Sequence, residues 1–195
     1  MSKNTNLDLI FKALNFAARA HEGQKRKDKT DLAYIVHPIG AALLLMRAGA
    51  DEAVIAAGLL HDVVEDCNVT LKELEKEFGR EVATMVADVT EPGSSYSWEE
   101  RKQHQIDYVK KMSRGSMMVK AADIIHNRWS LVSALEIEGP SILKNFHSPF
   151  SDYLKIDRKR YEELKNKWPT NPLLPELNQG IKQFEQALKL WSTKI

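Results

Sequence analysis

The sequence lacks most of the features that place a protein in a membrane, a disulfide-rich fold or a complex with nucleic acid. Among 195 residues Cys67 is the only cysteine, which excludes an intramolecular disulfide and fits a reducing compartment. No apolar run approaches the roughly 20 residues that span a bilayer, and segment 1–6 is polar, without a signal-peptide core. The formal net charge of +1 gives no basis for binding a nucleic acid polymer or an anionic membrane. We therefore predict a cytoplasmic protein in which any anion is recognised locally.

The sequence also lacks the alternation of apolar and polar residues that is typical of β-strands. Apolar residues instead recur with helical spacing almost from residue 7 to the end. Segment 51–67 reads as one helix, and a helix from Pro38 to Gly49 precedes it. The sequence predicts an all-α fold of eight or nine helices. We expect residues 1–195 to form a single domain, with the helices after about residue 150 packed on its core.

Two helix starts are marked by capping boxes. Thr70 precedes Glu73 by three residues, and Ser97 precedes Glu100 by the same spacing. In such a pair, the hydroxyl and the carboxylate each accept from the other residue's backbone N–H. Helices are therefore predicted to begin just after Thr70 and Ser97.

The residues with the most informative chemistry lie in segment 59–66. The adjacent pair His61-Asp62 follows two leucines, and Glu65 and Asp66 come one helical turn later. In a helix, Glu65 shares a face with His61, and Asp66 shares one with Asp62. Burying this much negative charge among apolar side chains is costly without a cation. The segment therefore indicates a divalent metal ion, with two further carboxylates placed to orient or deprotonate water.

Two other segments extend this pattern. Asp123 lies in an apolar helical stretch with Asn127 four residues later, and His37 precedes a proline at the entrance to a helix. Alone, His37 would be typical of a surface or capping residue, and Asp123 of an ion-pair partner for Lys120. The ordered set of His, His-Asp, Glu-Asp and Asp-x-x-x-Asn is a stronger signal. Two imidazoles and two carboxylates leave positions open on an octahedral ion and favour Mn²⁺, Fe²⁺ or Zn²⁺.

A basic turn and an aromatic residue are candidates for substrate contacts. Lys25, Arg26 and Lys27 would neutralise part of a polyphosphate, and Arg26 has the bidentate geometry for it. The alternative for these cations is a solvated turn. Tyr153 is a candidate for stacking on a nucleotide, with a packed aromatic ring as the alternative. His126 lies off the face shared by Asp123 and Asn127, so we interpret it as a packing residue.

These motifs together resemble those of the HD-domain phosphohydrolases. The resemblance extends over residues 7–135 and in part to residue 153, and it includes segments 23–28, 34–38, 59–66 and 120–127. Within that family the chain is most similar to the small alarmone hydrolases and to the hydrolase half of the bifunctional stringent-response enzymes. The resemblance implies a single HD-type helical domain. It also implies a Mn²⁺-dependent enzyme that removes pyrophosphate from the 3′ position of guanosine tetra- or pentaphosphate.

The resemblance also implies a role for individual residues. The metal ligands of the family fall on His37, His61, Asp62 and Asp123, and the pair associated with the hydrolytic water falls on Glu65 and Asp66. Its substrate-contacting arginine and asparagine fall on Arg26 and Asn127. The expected partner is a small nucleotide, and a homo-oligomer is left open.

The chain departs from the family at three places near the predicted site. Segment 31–33 replaces a Gly-Thr-Pro-like turn, loop 91–98 has no lysine, and Arg128-Trp129 stands where Met-Arg is usual. These changes leave open an HD phosphohydrolase for another metabolite, such as a nucleoside monophosphate or NADPH. A catalytically silent nucleotide sensor is a third alternative, although none of the metal-binding or water-activating positions is missing.

Overall fold

The computed structural model describes residues 7–26, 31–93, 95–139, 141–142 and 149–192. Within these residues the chain forms nine α-helices, one of which is broken by a kink at Gly79, and no strand apart from an isolated bridge between Lys25 and Ala33. The helices are α1 (Leu7–Ala20), α2 (Val36–Arg47), α3 (Glu52–Leu60), α4 (Val63–Asp66), α5 (Leu71–Val89), α6 (Trp98–Tyr108), α7 (Arg114–Glu138), α8 (Phe150–Lys167) and α9 (Leu174–Ser192). A 3₁₀ turn, Val109–Lys111, separates α6 from α7. The predicted all-α fold is confirmed.

Both capping boxes form as predicted. The Thr70 hydroxyl accepts from the backbone N–H of Glu73 at 3.2 Å, and Ser97 accepts from Glu100 at the same distance. The two glutamates return the bond to the backbone N–H of the capping residue. Local hydrogen bonding therefore determines where α5 and α6 begin.

The helix predicted over residues 51–67 is interrupted. Helix α3 ends at Leu60, and the single-turn helix α4 begins at Val63. Between them the backbone at Asp62 relaxes to φ −99° and ψ −7°, which opens the helical turn. The Asp66 N–H still donates to the Asp62 carbonyl at 2.9 Å, so the four-residue relation survives without a continuous helix.

Helix α3 is the centre of the structure. Every residue from Val54 to Leu60 is buried, and α3 packs against α1, α2, α5 and α7. Leu164, Leu177 and Ile181 from α8 and α9 join the same core, which supports our proposal of one domain. Because α3 packs against α2 and α7, residues at its C-terminal end can meet side chains of those two helices. No helix in the described part of the chain is both long and apolar enough to cross a membrane.

Candidate metal centre and active site

Two imidazoles and two carboxylates meet where α2, the turn between α3 and α4, and α7 converge. The Nε2 atoms of His37 and His61 are 3.1 Å apart. Carboxylate oxygens of Asp62 and Asp123 lie 3.4 Å each from His37 Nε2, and 3.3 Å and 3.7 Å from His61 Nε2. His37, His61 and Asp123 also place one potential ligand atom each within 4.8 Å of the other two. The structure therefore brings together the four predicted metal ligands.

The electrostatics of this cluster favour a cation. Burial alone would lower the pKa of His61, but Asp62 and Asp123 outweigh it and raise the pKa to about 9. Burial opposes ionisation of Asp123, yet Lys120 and the two imidazoles hold its pKa well below the usual value. Burial lowers the pKa of His37, which keeps a lone pair on that ring. The donors present, imidazole nitrogen and carboxylate oxygen, fit a divalent transition metal ion.

Each acidic member of the cluster is oriented by a neighbour. The Tyr34 hydroxyl donates to Asp62 Oδ2 at 2.7 Å, while Asn127 Nδ2 and Lys120 Nζ donate to Asp123 at 2.6 Å and 3.2 Å. Burial, followed by the charge of Asp62, raises the pKa of Tyr34, so the phenol stays a donor. We assigned no role to Tyr34 from sequence, although its position three residues before His37 was the available signal.

Glu65 and Asp66 both line the cavity next to Asp62. The backbone N–H of Glu91 donates to Glu65 Oε1 at 2.5 Å. Burial raises the pKa of Glu65 to about 7, against the lowering influence of Lys120 and of that N–H group. The Asp66 carbonyl accepts from Gln24 Nε2 at 2.8 Å, which ties the segment after α1 to α4. More than a third of Glu65 is exposed to solvent, and the raised pKa makes its carboxylate a candidate proton acceptor.

His61, Asp62 and Asp123 of the metal cluster line a cavity of about 350 Å³, a size typical of small-molecule sites. Helices α6, α7 and α8 add aromatic, aliphatic and cationic side chains to its wall. These residues are Trp98, Lys102, Arg128, Leu131, Tyr153, Ile156 and Arg160. Such a lining suits a ligand with an anionic group and a planar, less polar part.

The predicted substrate residues are distributed unequally around this cavity. Arg26 and Asn127 line it together, with Arg26 Nη2 donating to Asn127 Oδ1 at 3.2 Å. Tyr153 also lines it, and its ring meets that of Trp98 edge-on at 5.2 Å between centroids. Lys25 does not line the cavity, because its ammonium pairs with the exposed carboxylate of Asp31. Lys27 lies outside the described residues.

Several cavity residues were not predicted from sequence. Trp98 and Arg160 reach the cavity from α6 and α8, and no local sequence spacing indicates that they would. His126, which we interpreted as a packing residue, instead contacts the cluster: its Nδ1 lies 2.9 Å from His37 Nδ1. Periodicity on α7 did not reveal that contact because the partner belongs to α2.

Comparison with known proteins identifies the family. The model of the HD domain family matches residues 13–136. The chain belongs to the HD-domain family. This HD domain is 42% identical over 121 residues to the guanosine-3′,5′-bis(diphosphate) 3′-pyrophosphohydrolase of Xenopus tropicalis, covering 61% of this chain and 67% of that protein.

Two further relatives extend the comparison. The HD domain is 36% identical over 164 residues to a probable guanosine-3′,5′-bis(diphosphate) 3′-pyrophosphohydrolase of Synechocystis, covering 79% of this chain and 21% of that protein. The structure of this chain is similar to that of a metazoan ortholog of SpoT, which is described as hydrolysing ppGpp. That match has a TM-score of 0.75 and 28% identity, and it covers 94% of this chain and 98% of the other. The family predicted from the motifs is confirmed.

Proposed function

We propose that this HD domain is a metal-dependent hydrolase that removes pyrophosphate from the 3′ position of guanosine tetra- or pentaphosphate. The observation that carries the proposal is the cluster of two imidazoles and two carboxylates that borders a nucleotide-sized cavity. The activity named for the Xenopus and Synechocystis relatives supports the substrate class.

The proposed metal ligands are His37, His61, Asp62 and Asp123. Mixed nitrogen and oxygen donors suit Mn²⁺, Fe²⁺ or Zn²⁺, and we propose Mn²⁺ because the resemblance to the alarmone hydrolases implies it. A bound divalent ion would lower the pKa of water and neutralise charge on a phosphoryl oxygen. We further propose a cytoplasmic location, since a single cysteine suits a reducing compartment.

The side chains around the proposed metal site have distinct tasks. Glu65, with a pKa raised by burial to about 7, accepts a proton from the attacking water, and Asp66 holds that water in place. The guanidinium of Arg26 binds the pyrophosphate group. Asn127 accepts from Arg26 and donates to Asp123, so one amide aligns a substrate contact with a metal ligand.

The proposed function is tested by incubating Mn²⁺-loaded protein with guanosine tetraphosphate and separating the nucleotides by anion-exchange chromatography. We expect one GDP and one pyrophosphate per substrate consumed. Turnover of a nucleoside monophosphate or NADPH, without turnover of guanosine tetraphosphate, would instead identify a hydrolase for another metabolite. Tight binding of guanosine tetraphosphate with no hydrolysis of any substrate would identify a sensor.

Replacing Arg26 with glutamine tests the proposed pyrophosphate contact. A charge-assisted hydrogen bond contributes about 1.5–3 kcal/mol, so we expect KM for guanosine tetraphosphate to rise roughly 10- to 100-fold. The bond is present before and during reaction, so kcat should change much less. Steady-state kinetics on both variants measures the effect. Lys25→Gln is the matched control, since this neighbouring cation pairs with Asp31 outside the cavity, and a similar rise in KM there would contradict the assignment.

A further inference from the structure

His126 lies directly behind His37, on the side opposite the proposed metal. The two Nδ1 atoms are 2.9 Å apart, while His37 Nε2 faces His61 and the two carboxylates. A neutral imidazole that offers Nε2 to a metal carries its proton on Nδ1. His37 Nδ1–H therefore donates to His126 Nδ1. We propose that His126 is a positioning residue that fixes the tautomer and ring orientation of His37 for metal binding, an inference that rests on the metal site of the proposed function.

The other imidazole of the cluster is held by an equivalent bond from its own helix. His61 Nδ1 donates to the carbonyl of Gly58, three residues earlier in α3, at 2.8 Å. For His37 the corresponding carbonyl, that of Tyr34, already accepts from the His37 backbone N–H. His37 lies in the first turn of α2, and its Nδ1 lies within hydrogen-bond distance of His126 on α7 instead.

The glycine at residue 40 leaves the space on α2 that the His126 ring occupies. A Cβ atom at residue 40 would lie 2.0 Å from Cδ2 and 2.1 Å from Nε2 of His126, a steric overlap. The backbone at Gly40 has no left-handed conformation that would call for glycine, and glycine weakens a helix interior relative to alanine. The absence of a side chain at residue 40, one turn after His37, therefore lets the His126 ring come within hydrogen-bond distance of His37.

Metal affinity in the absence of substrate tests the inference. We would titrate metal-free protein with Mn²⁺ by isothermal titration calorimetry. His126→Phe keeps a ring and removes the acceptor, and we expect Kd for Mn²⁺ to rise roughly 10- to 100-fold, as when an outer partner of a metal-bound histidine is lost. His126→Asn retains a carbonyl acceptor close to the position of Nδ1, so its Kd should stay within about threefold of the wild type. Circular dichroism confirms folding of each variant.

Substitution of Gly40 tests the same inference independently, again by measuring Mn²⁺ affinity. Gly40→Ala should weaken Mn²⁺ binding by displacing the His126 ring, but it should add nothing in a His126→Ala background, where the ring is gone. Gly115→Ala is the matched control, because its Cβ would meet the flexible Met85 side chain (Sδ at 2.5 Å) away from the cluster.

Three outcomes separate the possible failures. Unchanged Mn²⁺ affinity in His126→Phe would overturn the inference and leave the proposed function standing. Additive losses from Gly40→Ala and His126→Ala would also overturn it, since they would show that the two residues act separately. Failure of the wild-type protein to bind Mn²⁺ would overturn the metal site itself, and the inference with it.

Discussion

Replacing Asp62 with asparagine is expected to lower kcat/KM for guanosine tetraphosphate roughly 1,000-fold, a loss of about 4 kcal/mol of transition-state stabilisation. The Tyr34 hydroxyl donates to Asp62 Oδ2 and would select the carbonyl oxygen of the new amide. The amide nitrogen would then face His61 Nε2, where Oδ1 now lies at 3.3 Å. A donor group would thus replace a ligand oxygen, and the site would also lose a negative charge. Metal content by elemental analysis and steady-state kinetics measure both effects.

Asp88 provides a matched control for that substitution. Its carboxylate also accepts from a tyrosine, Tyr108, at 3.1 Å and from Ser116 at 2.6 Å, but it does not line the cavity. Asp88→Asn should therefore change stability without changing metal content or KM. Full activity and normal metal content in Asp62→Asn would refute the assignment of Asp62 as a ligand.

The second large effect is expected for Glu65→Gln, which separates proton transfer from metal binding. Loss of a general base typically costs roughly 10²- to 10⁴-fold in kcat. Glutamine can still accept the Glu91 N–H bond, so Mn²⁺ affinity and KM should change little. Asp66→Asn is the paired comparison. If Asp66→Asn rather than Glu65→Gln shows the larger loss of kcat, the roles of the two carboxylates are exchanged.

The pH dependence of the wild type follows from the same residue. Burial raises the pKa of Glu65 to about 7 in the metal-free protein, and a bound divalent cation nearby would lower it, so kcat of the metal-loaded enzyme should fall with decreasing pH from a midpoint below 7. The raised pKa also means that the folded metal-free protein binds this proton more tightly than the unfolded chain. The corresponding stability is fully present below the unfolded pKa of about 4.5 and is lost as pH rises through 7.

Glu65→Gln removes this titration from the folded state. We therefore expect metal-free Glu65→Gln to exceed the wild type in free energy of unfolding at pH 8, by about 1 kcal/mol because more than a third of the residue is exposed and water screens the effect, and to match it near pH 4. Urea unfolding in the presence of EDTA at the two pH values measures the difference. Equal stability of both proteins at pH 8 would show that burial does not raise this pKa.

How far sequence predicts this fold depends on the range of the interactions involved. The capping boxes at Thr70 and Ser97 are complete within four residues, so the starts of α5 and α6 were predicted correctly. The break between α3 and α4 was not predicted. The Asp62 backbone departs from ideal helix geometry at this point, where the Asp62 side chain accepts a hydrogen bond from Tyr34 of another segment. Helical periodicity carries no information about such a contact.

The same distinction applies to the site. The order of His37, His61-Asp62 and Asp123 along the chain predicted residues that the fold brings together. Lys25 and Arg26 were both candidates for substrate contacts in sequence, yet only Arg26 lines the cavity, since Lys25 pairs with Asp31. The position of His126 depends on Gly40 in a distant helix, which only the folded structure reveals.

Part of the cavity wall comes from helices that carry none of the proposed metal ligands, and this has an evolutionary consequence. The ligands lie on α2, the α3–α4 turn and α7, while Trp98, Lys102, Tyr153 and Arg160 come from α6 and α8. Mutations in α6 and α8 can therefore accumulate without passing through forms that have lost the catalytic apparatus. Descendants of one ancestral hydrolase could diversify in the molecules they accept while inheriting the same chemistry.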